Sequence, residues 1–303
     1  MEQKNKTESN KEKNWFDKYY KVFLVIPIII VLLSMGYIYY FYSQTGEILM
    51  RDVSLSGGTI ITINIEQQAI NVETLEQELK LEYEDINFRK LTDLRTNKNL
   101  AIIVESSSEP NQLRASIEKI IGFSLTEENS STEFTGSSLS SNFYKQLMFA
   151  LLASFILMSL VIFLLFRTFI PSIAVIFAAF ADIVIPLAIV DYFGIRLSAA
   201  GIAAFLMLIG YSVDTDILLT TRAIKTHEGT LNSRIFGAFK TGILMTTTAL
   251  FAVLPAFFLI TGLPDSFRQI FLILAIGLFA DIFNTWLTNV GIIKWYCESK
   301  GIE

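Results

Sequence analysis

Six long apolar stretches constrain this chain more than any other feature of its sequence. About 20 consecutive apolar residues cross a hydrocarbon core of about 30 Å, and such a segment must be helical because its backbone polar groups have no water to bond. The predicted spans are residues 22–43, 147–166, 170–190, 197–220, 241–260 and 267–293. The sequence therefore predicts a polytopic α-helical membrane protein with six transmembrane helices.

Composition supports this class and argues against several others. Charged residues make up 17% of the chain, whereas a typical soluble domain has about 25%. A formal net charge of −5, without a basic and aromatic-rich patch, argues against a nucleic-acid partner. The single histidine, His227, lies in a polar loop without a Cys or His partner, and no phosphate-binding P-loop motif occurs. We therefore predict no metal, no cofactor and no enzymatic activity.

Residues 44–143 differ from the rest, because strand-like and helix-like patterns alternate there within a polar segment. Strands are predicted at residues 59–65, 86–92, 100–105 and 132–135, and helices at residues 72–81 and 110–121. Asn71 is a possible cap of the first helix, and Pro110 begins the second. The order β-α-β-β-α-β is that of a ferredoxin-like domain. Gly57 and Gly58, before the first strand, predict a tight turn or a close backbone approach.

Lysine and arginine residues near the spans predict the orientation. Most of them fall on one side: in the amphipathic segment 1–21, at Arg167, between Arg222 and Lys240, and in the tail 294–303. By the positive-inside rule that side is cytosolic, so both termini are expected in the cytosol. The domain at 44–143 is then extracytoplasmic, and the protein is expected in the cell membrane.

Four acidic residues lie inside the predicted spans: Asp182, Asp214, Asp216 and Asp281. A carboxylate near the middle of a bilayer costs about 2.5–3.5 kcal/mol on insertion scales, so it usually faces the bundle interior or a water path. Asp214 and Asp216 share one helix but lie about 200° apart around it, so they cannot face the same neighbour. Gly201 and Gly210 on the same helix predict close packing against other helices.

Other polar residues are expected at a similar depth. They are Thr246, Thr247 and Thr248 in the fifth span, Asn284, Thr285 and Thr288 in the sixth, and Lys240 at the cytosolic entry to the fifth. Acids, hydroxyls and one cation at overlapping depth predict a proton or ion relay, and the alternative is a set of interhelical hydrogen bonds that only hold helices together. Asp214 is expected to carry the proton beside Lys240, whereas Asp216 is expected to reach water on the other helix face.

Three motifs together resemble the SecF family of protein-export membrane subunits, within the RND superfamily. SLSGGT at 54–59 resembles the glycine pair that follows the first span, and Phe166-Arg167 with the ADI of 181–183 resembles the third-span motif, except that the family often has His at Ala181. GIAAFLMLIGYSVDTD at 201–216 resembles the fourth-span signature, which ends at Arg222. The similarity covers nearly the whole chain.

The chain departs from the bacterial members of this family in two ways that bear on the relay. Many bacterial members have one essential acid where this chain has Thr215, and here Asp214 and Asp216 flank that position. Lys240 stands where bacterial members have Arg. The form of residues 210–222 resembles the archaeal branch.

The resemblance implies a fold and a function. It implies a six-span half of an RND-type assembly that pairs with SecD in the membrane lipid, beside the SecYEG channel. An ion gradient would then drive the movement of translocating polypeptides. Two alternatives remain open. An independent RND-type exporter of lipids or small molecules would share the fold, and an intramembrane aspartic protease would use paired carboxylates, although the chain lacks that family's Gly-x-Gly-Asp motif.

Overall fold

The computed structural model describes residues 15–65, 70–83, 85–92, 99–226, 228–259 and 265–302, without the side chains of residues 15–18, 259, 265 and 266. The loop residue His227 and most of the N-terminal segment 1–21 therefore lie outside the described residues.

The chain enters the membrane in helix α1 (Trp15–Thr45) and leaves it for a sheet domain through a short helix, α2 (Val53–Ser56). The domain consists of β1 (Gly58–Asn64), α3 (Val72–Glu82), β2 (Asn87–Thr92), β3 (Asn99–Ser106), α4 (Pro110–Ile121) and β4 (Ser130–Thr135). The Asn71 side chain accepts a hydrogen bond from the Thr74 N–H and caps α3. Pro110 lies in the first turn of α4, where the missing N–H leaves no hydrogen bond unmade.

The sheet is antiparallel with the strand order β2-β3-β1-β4, and the predicted ferredoxin-like order of elements is confirmed. Side chains alternate between its two faces. The face that carries Ile61, Ile63 and Val104 packs against α3 and α4 as the core of the domain. The opposite face, which carries Asn87, Arg89 and Glu105, is the face free of helices.

After the domain the chain stays helical and crosses the membrane. The helices are α5 (Ser137–Phe166), α6 (Phe169–Tyr192), α7 (Ala199–Lys225), α8 (Leu231–Leu259), and a last helix in which α9 (Asp265–Phe283), a π-helical segment (Asn284–Asn289) and α10 (Val290–Lys300) are continuous. With α1, six helices within the described residues are long and apolar enough to span a bilayer, as predicted. Helix α8 begins well before the predicted span at residue 241, because the residues expected in a loop continue the helix.

Burial separates the central helices from the peripheral ones. The most apolar segments of α6, α7 and the last helix are 61%, 56% and 56% buried within the chain, against 11% for α1, 11% for α5 and 17% for α8. Helices α6, α7 and α9 therefore form the centre of the bundle, and the other three present most of their surface outward.

Glycines permit close approach where the sheet domain joins the bundle. A Cβ added at Gly57 would lie 2.3 Å from the Ser137 Cα, and one at Gly58 would lie 2.3 Å from the Ser106 carbonyl oxygen. The φ angles of 88° and 134° also favour glycine, so the predicted close approach is confirmed. A Cβ added at Gly201 would lie 3.0 Å from the Gln269 side chain and 3.2 Å from the Ile273 side chain of α9, as close packing requires. No described atom lies within 4 Å of a Cβ added at Gly210, so the close packing expected there is absent among the described residues.

We expect Gly57→Ala to destabilise the junction by about 1–3 kcal/mol from backbone strain alone, and by more from the contact with Ser137. Its thermal unfolding midpoint in detergent should fall by several degrees. The matched control is Gly136→Ala, at a nearby linker position with negative φ and open space around its Cβ. Equal melting of the two variants would contradict the described junction.

Candidate functional site: a buried carboxylate cluster

Three carboxylates meet inside the bundle, each from a different central helix. Asp182 of α6, Asp216 of α7 and Asp281 of α9 are 1%, 0% and 1% exposed. No ion pair joins any of them to a lysine or arginine that the structure describes. Their surroundings are instead hydroxyl and amide groups from neighbouring helices, so hydrogen bonds rather than a counter-charge hold them in place.

Asp182 accepts hydrogen bonds from two other helices. The Ser212 hydroxyl of α7 donates to one carboxylate oxygen, and the Asn284 amide donates to the other at 2.5 Å. Asn284 follows Asp281 by three residues on the last helix, so it lies on nearly the same helix face as that acid. The acids of α6 and α9 are therefore neighbours in one network.

Thr285 connects the other two acids. Its hydroxyl lies 2.8 Å from Asp216 Oδ1 and 3.1 Å from Asp281 Oδ1. The Asn289 amide donates to Asp216 Oδ1 at 2.6 Å, and the Thr246 hydroxyl of α8 is 3.5 Å from Asp281 Oδ2. A threonine hydroxyl has one hydrogen, so it can donate to only one of the two acids at a time.

The local helix geometry brings these groups to one face. Residues 281, 285 and 289 follow one another at i, i+4 spacing, which places them on one face of a helix. The segment Asn284–Asn289 is π-helical, a conformation that occurs mostly as a single turn and often at functional sites. Asn284 and Thr285 were expected at this depth from the sequence, whereas Asn289 and Ser212 were not. Extending the i+4 series by one step would have found Asn289.

The structure places the two acids of α7 differently from the expectation. Asp216, expected to reach water, is completely buried in the cluster, whereas Asp214, expected to be the central acid, is exposed on the surface of the chain. Lys240 is exposed on α8, and no ion pair among the described side chains joins it to Asp214 or to the cluster. Asp214 and Asp216 do lie on different sides of α7, as their angle of about 200° around the helix predicts. Which side points inward could not be predicted, because an apolar membrane helix has no polar face that marks its outer side.

The remaining residues singled out in the sequence have structural positions away from the cluster. Arg167 ends α5 in the left-handed conformation, with φ of 53°. The Arg222 guanidinium packs beside Gly237 of α8, where an added Cβ would come within 3.3 Å. Thr248 is exposed and donates to its own helix at the Leu244 carbonyl. None of these three positions contributes a described hydrogen bond to the carboxylates.

Several acceptor oxygens at the cluster have no hydrogen-bond donor in the described part of the chain: Asp216 Oδ2, Asn284 Oδ1 and Asn289 Oδ1. Buried polar atoms are normally satisfied, so such oxygens suit a proton carrier or a small cation. Within the same described residues, no three His, Cys, Asp or Glu side chains are placed to hold a metal ion together.

Electrostatic repulsion makes the cluster with both Asp216 and Asp281 ionised less stable than the cluster with only one of them ionised. Asp216 Oδ1 and Asp281 Oδ1 both contact the Thr285 hydroxyl, so they lie no more than about 6 Å apart. Two ionised carboxylates at that distance repel by roughly 3 kcal/mol at an effective dielectric constant of about 20. Uptake or release of one positive charge therefore changes the stability of the helix contacts around the cluster.

We expect a hydrophobic carbodiimide to modify Asp214 in the isolated protein and to leave most of Asp182, Asp216 and Asp281 unmodified, because only Asp214 is exposed. Peptide mass spectrometry would give the site of modification. Asp214→Asn should remove most of the label from α7, and Asp216→Asn should leave it. The opposite result would mean that Asp216 is the accessible acid.

Comparisons with known proteins all find similarity to the SecD/SecF family. Residues 115–299 match the family described as "Protein export membrane protein SecD/SecF, C-terminal". The SecF protein of Methanolacinia petrolearia is 34% identical over 284 residues, which cover 93% of this chain and 95% of that protein. The SecF protein of Methanothermobacter thermautotrophicus is 37% identical over 289 residues, which cover 93% and 94%.

Solved structures show the same fold. The crystal structure of SecDF, a translocon-associated membrane protein from Thermus thermophilus, aligns with a TM-score of 0.69 at 15% identity over 92% of this chain. SecDF in its super-membrane-facing form aligns with a TM-score of 0.57 at 18% identity over 94%. This chain spans 38% and 39% of those two chains, so it corresponds to one part of each.

Proposed function

The chain belongs to the SecD/SecF family of protein-export membrane proteins, and from this membership and the buried carboxylate cluster we propose that it couples an ion gradient to protein export as the SecF half of a SecD–SecF pair. Asp182, Asp216 and Asp281 carry the ion relay within the chain. Translocating polypeptides that leave the SecYEG channel are the proposed cargo of the sheet domain.

The observation that carries this proposal is the shared Thr285 hydroxyl between two buried acids. With Asp281 ionised and Asp216 protonated, the hydroxyl donates to Asp281 and accepts from Asp216, and the reverse arrangement is equally well formed. A proton that moves from one acid to the other reverses both hydrogen bonds. Because Asp216 is on α7 and Asp281 on α9, each arrival or departure of a charge acts on the contact between these two helices.

A direct backbone link supports transmission from α7 to the sheet domain. The segment that leads from α1 into the domain is bonded to the start of α7: the Asp52 N–H donates to the Leu197 carbonyl at 2.9 Å, and the Leu197 N–H donates to the Met50 carbonyl at 2.7 Å. The Ser54 hydroxyl accepts from the Ala199 N–H at 3.1 Å. Movement of α7 would therefore pull on the entry to the domain.

The exposed face of α7 supports a membrane partner. Asp214 lies about 22 Å along the helix from Ala199, well inside the spanning segment. Met207 and Tyr211 on the same face are 41% and 52% exposed, and Gly210 has open space around it. An ionisable side chain inside a membrane normally faces protein or water rather than lipid, so we assign this face to SecD. Lys240 on α8 is likewise assigned to a partner-facing surface.

The proposed orientation follows the distribution of basic residues. Both termini lie in the cytosol and residues 44–143 lie outside, because the loops on the opposite side of the membrane from the sheet domain carry most of the lysine and arginine. This arrangement puts the sheet domain on the side where an exported chain emerges.

A protease would need its acids to reach a peptide bond, and the burial of the cluster favours an ion relay instead.

We expect Thr285→Val to reduce gradient-dependent export about tenfold, equivalent to roughly 1.4 kcal/mol, because valine keeps the shape but removes the hydroxyl between the two acids. The assay is export in sealed vesicles that contain SecD and SecYEG, with and without an imposed ion gradient. Asp216→Asn should have a similar effect and Asp214→Asn a smaller one.

The matched control is Thr248→Val, which removes an exposed hydroxyl that bonds only to its own helix. This variant should export like the wild type, and Thr285→Ser should restore most of the gradient-dependent gain. If Thr285→Val kept the full gain while remaining folded, the hydroxyl would have no part in coupling, and the network would be structural.

The surface assigned to SecD can be tested separately. A photoreactive phenylalanine analogue at Met207 of α7 should cross-link to co-expressed SecD with a yield several-fold above that at Leu157 of α5, which is 61% exposed and assigned to lipid. Immunoblotting for SecD measures both products. Equal yields, or a higher yield at Leu157, would place the partner on another face.

A further inference from the structure

A cavity of about 300 Å³ lies where the sheet domain meets the membrane bundle. Asn87 and Arg89 of β2 line it from the helix-free face of the sheet, and Arg196, Arg268 and Gln269 line it from the bundle. Three guanidinium groups thus face one space, and no acidic residue of the described chain lines it. The cavity is separate from the carboxylate cluster and has no part in the proposed relay.

Of the three arginines that line the cavity, Arg89 is the one whose charge is neutralised by an ion pair within the chain. Its guanidinium forms an ion pair with Glu105, which is fully buried. Burial lowers the pKa of Arg89, the nearby Asp52 carboxylate opposes that shift, and the positive charge of Arg196 adds to it. Because the charge of Arg196 lowers the pKa of Arg89, the two guanidinium groups repel each other across the cavity. An anion bound between them would relieve this repulsion.

Arg196 and Arg268 supply the unbalanced charge. Neither forms an ion pair with a side chain that the structure describes. The Arg268 guanidinium carbon lies 5.4 Å from the centre of the Phe257 ring, and its buried Nε has no hydrogen-bond acceptor among the described residues. Stacking on an aromatic ring orients a guanidinium while leaving its N–H groups free to bind a planar or tetrahedral anion.

Gln269 holds the two bundle segments together at this point. Its amide nitrogen donates to the Arg196 carbonyl at 2.7 Å, and its amide oxygen accepts from the Ser198 N–H at 2.9 Å and the Ser198 hydroxyl at 2.8 Å. Gln269 is 4% exposed, so this is a buried amide whose oxygen and nitrogen are both hydrogen-bonded. The backbone that carries Arg196 is thereby fixed next to the first turns of α9, which carry Arg268.

The cavity also has an apolar wall, and this wall limits the class of ligand. Phe257 of α8 and Leu272 of α9 line it on the membrane side, at the ends of segments that cross the bilayer. A soluble anion would gain nothing from these side chains, whereas a lipid presents a phosphate at the boundary and a hydrocarbon chain beneath it. Basic pockets between transmembrane helices bind anionic headgroups by the same combination.

We propose that this cavity binds the phosphate headgroup of an anionic membrane lipid, with Arg196 and Arg268 as the phosphate ligands and Phe257 and Leu272 against the upper part of its acyl chain. The bound lipid bridges the sheet domain and the bundle. Arginine is suited to this role because its fork of N–H groups matches phosphate oxygens in pairs.

The test is native mass spectrometry of the full chain in detergent, titrated with dioleoylphosphatidylglycerol. We expect Arg268→Gln and Arg196→Gln each to weaken retention of this lipid about tenfold, the effect of removing one charge-assisted contact. Lys145→Gln is the matched control, since Lys145 is an exposed basic residue of α5, on the sheet-domain side of the bundle, that does not line the cavity. Arg268→Lys, which keeps the charge, should lose less than Arg268→Gln.

Two comparison ligands identify the source of the phosphate. Dioleoylglycerol, which has the same chains without phosphate, should not be retained, and inorganic phosphate should not displace the lipid at comparable concentration. Retention unchanged in both glutamine variants, or retention of dioleoylglycerol equal to that of the phospholipid, would overturn the site. Displacement by equimolar inorganic phosphate would overturn the lipid assignment, because the acyl chain would then contribute nothing. Thermal unfolding of each variant verifies that loss of lipid is not loss of fold.

Discussion

The arrangement of the bundle depends on three carboxylates that are buried in a membrane without a counter-charge among the described side chains. In a bilayer, apolar burial does little to hold helices together, so packing and interhelical hydrogen bonds decide which helices meet. Here Asp182 of α6 takes its donors from α7 and the last helix, and Asp216 of α7 takes both of its donors from the last helix. Glycine permits the same contacts, because a Cβ at Gly277 would lie 2.2 Å from Leu208. The close packing therefore joins α7 and α9, two of the three helices that the polar network joins.

Helix α7, and α9 through its bonds to the residues just before α7, is also tied to the sheet domain. The start of α7 is bonded through its backbone to the segment that enters the domain, and Gln269 of α9 bonds to the residues just before α7. The exit from the domain passes so close to its entry that only glycine fits at position 57. The entry segment thus gives the domain a short connection to α7 at the centre of the bundle, and a small change in the α7–α9 contact can act on the domain without a long flexible linker. The arginine-lined cavity lies at the same junction.

The six spans and the sheet can be predicted from local patterns in the sequence, whereas the carboxylate cluster can be predicted only in part. The apolar runs and the β-branched alternation around Thr62 predict the six spans and the sheet because each pattern reflects a local period. The inward face of α7 was predicted wrongly, since Asp214 and Asp216 are both acids in an apolar helix and nothing local distinguishes lipid, partner and bundle. Asn289 was missed because the expected face was ended at Thr288. The cavity joins Arg89 to Arg268, residues whose numbers differ by 179, a proximity that no local pattern encodes.

The two acids of α7 give that helix two separate tasks. Asp216 points into the bundle, where Thr285 can donate its single hydrogen either to it or to Asp281. Asp214 points away from the bundle, toward the surface assigned to SecD. Both are fixed to one rigid helix about 3 Å apart along its axis, so a rotation that changes the surroundings of one changes those of the other. In the proposed mechanism, a charge taken up at Asp216 would therefore be sensed at the assigned partner surface and at the start of α7 together, which is the geometric requirement for coupling two halves of a membrane assembly to one external domain.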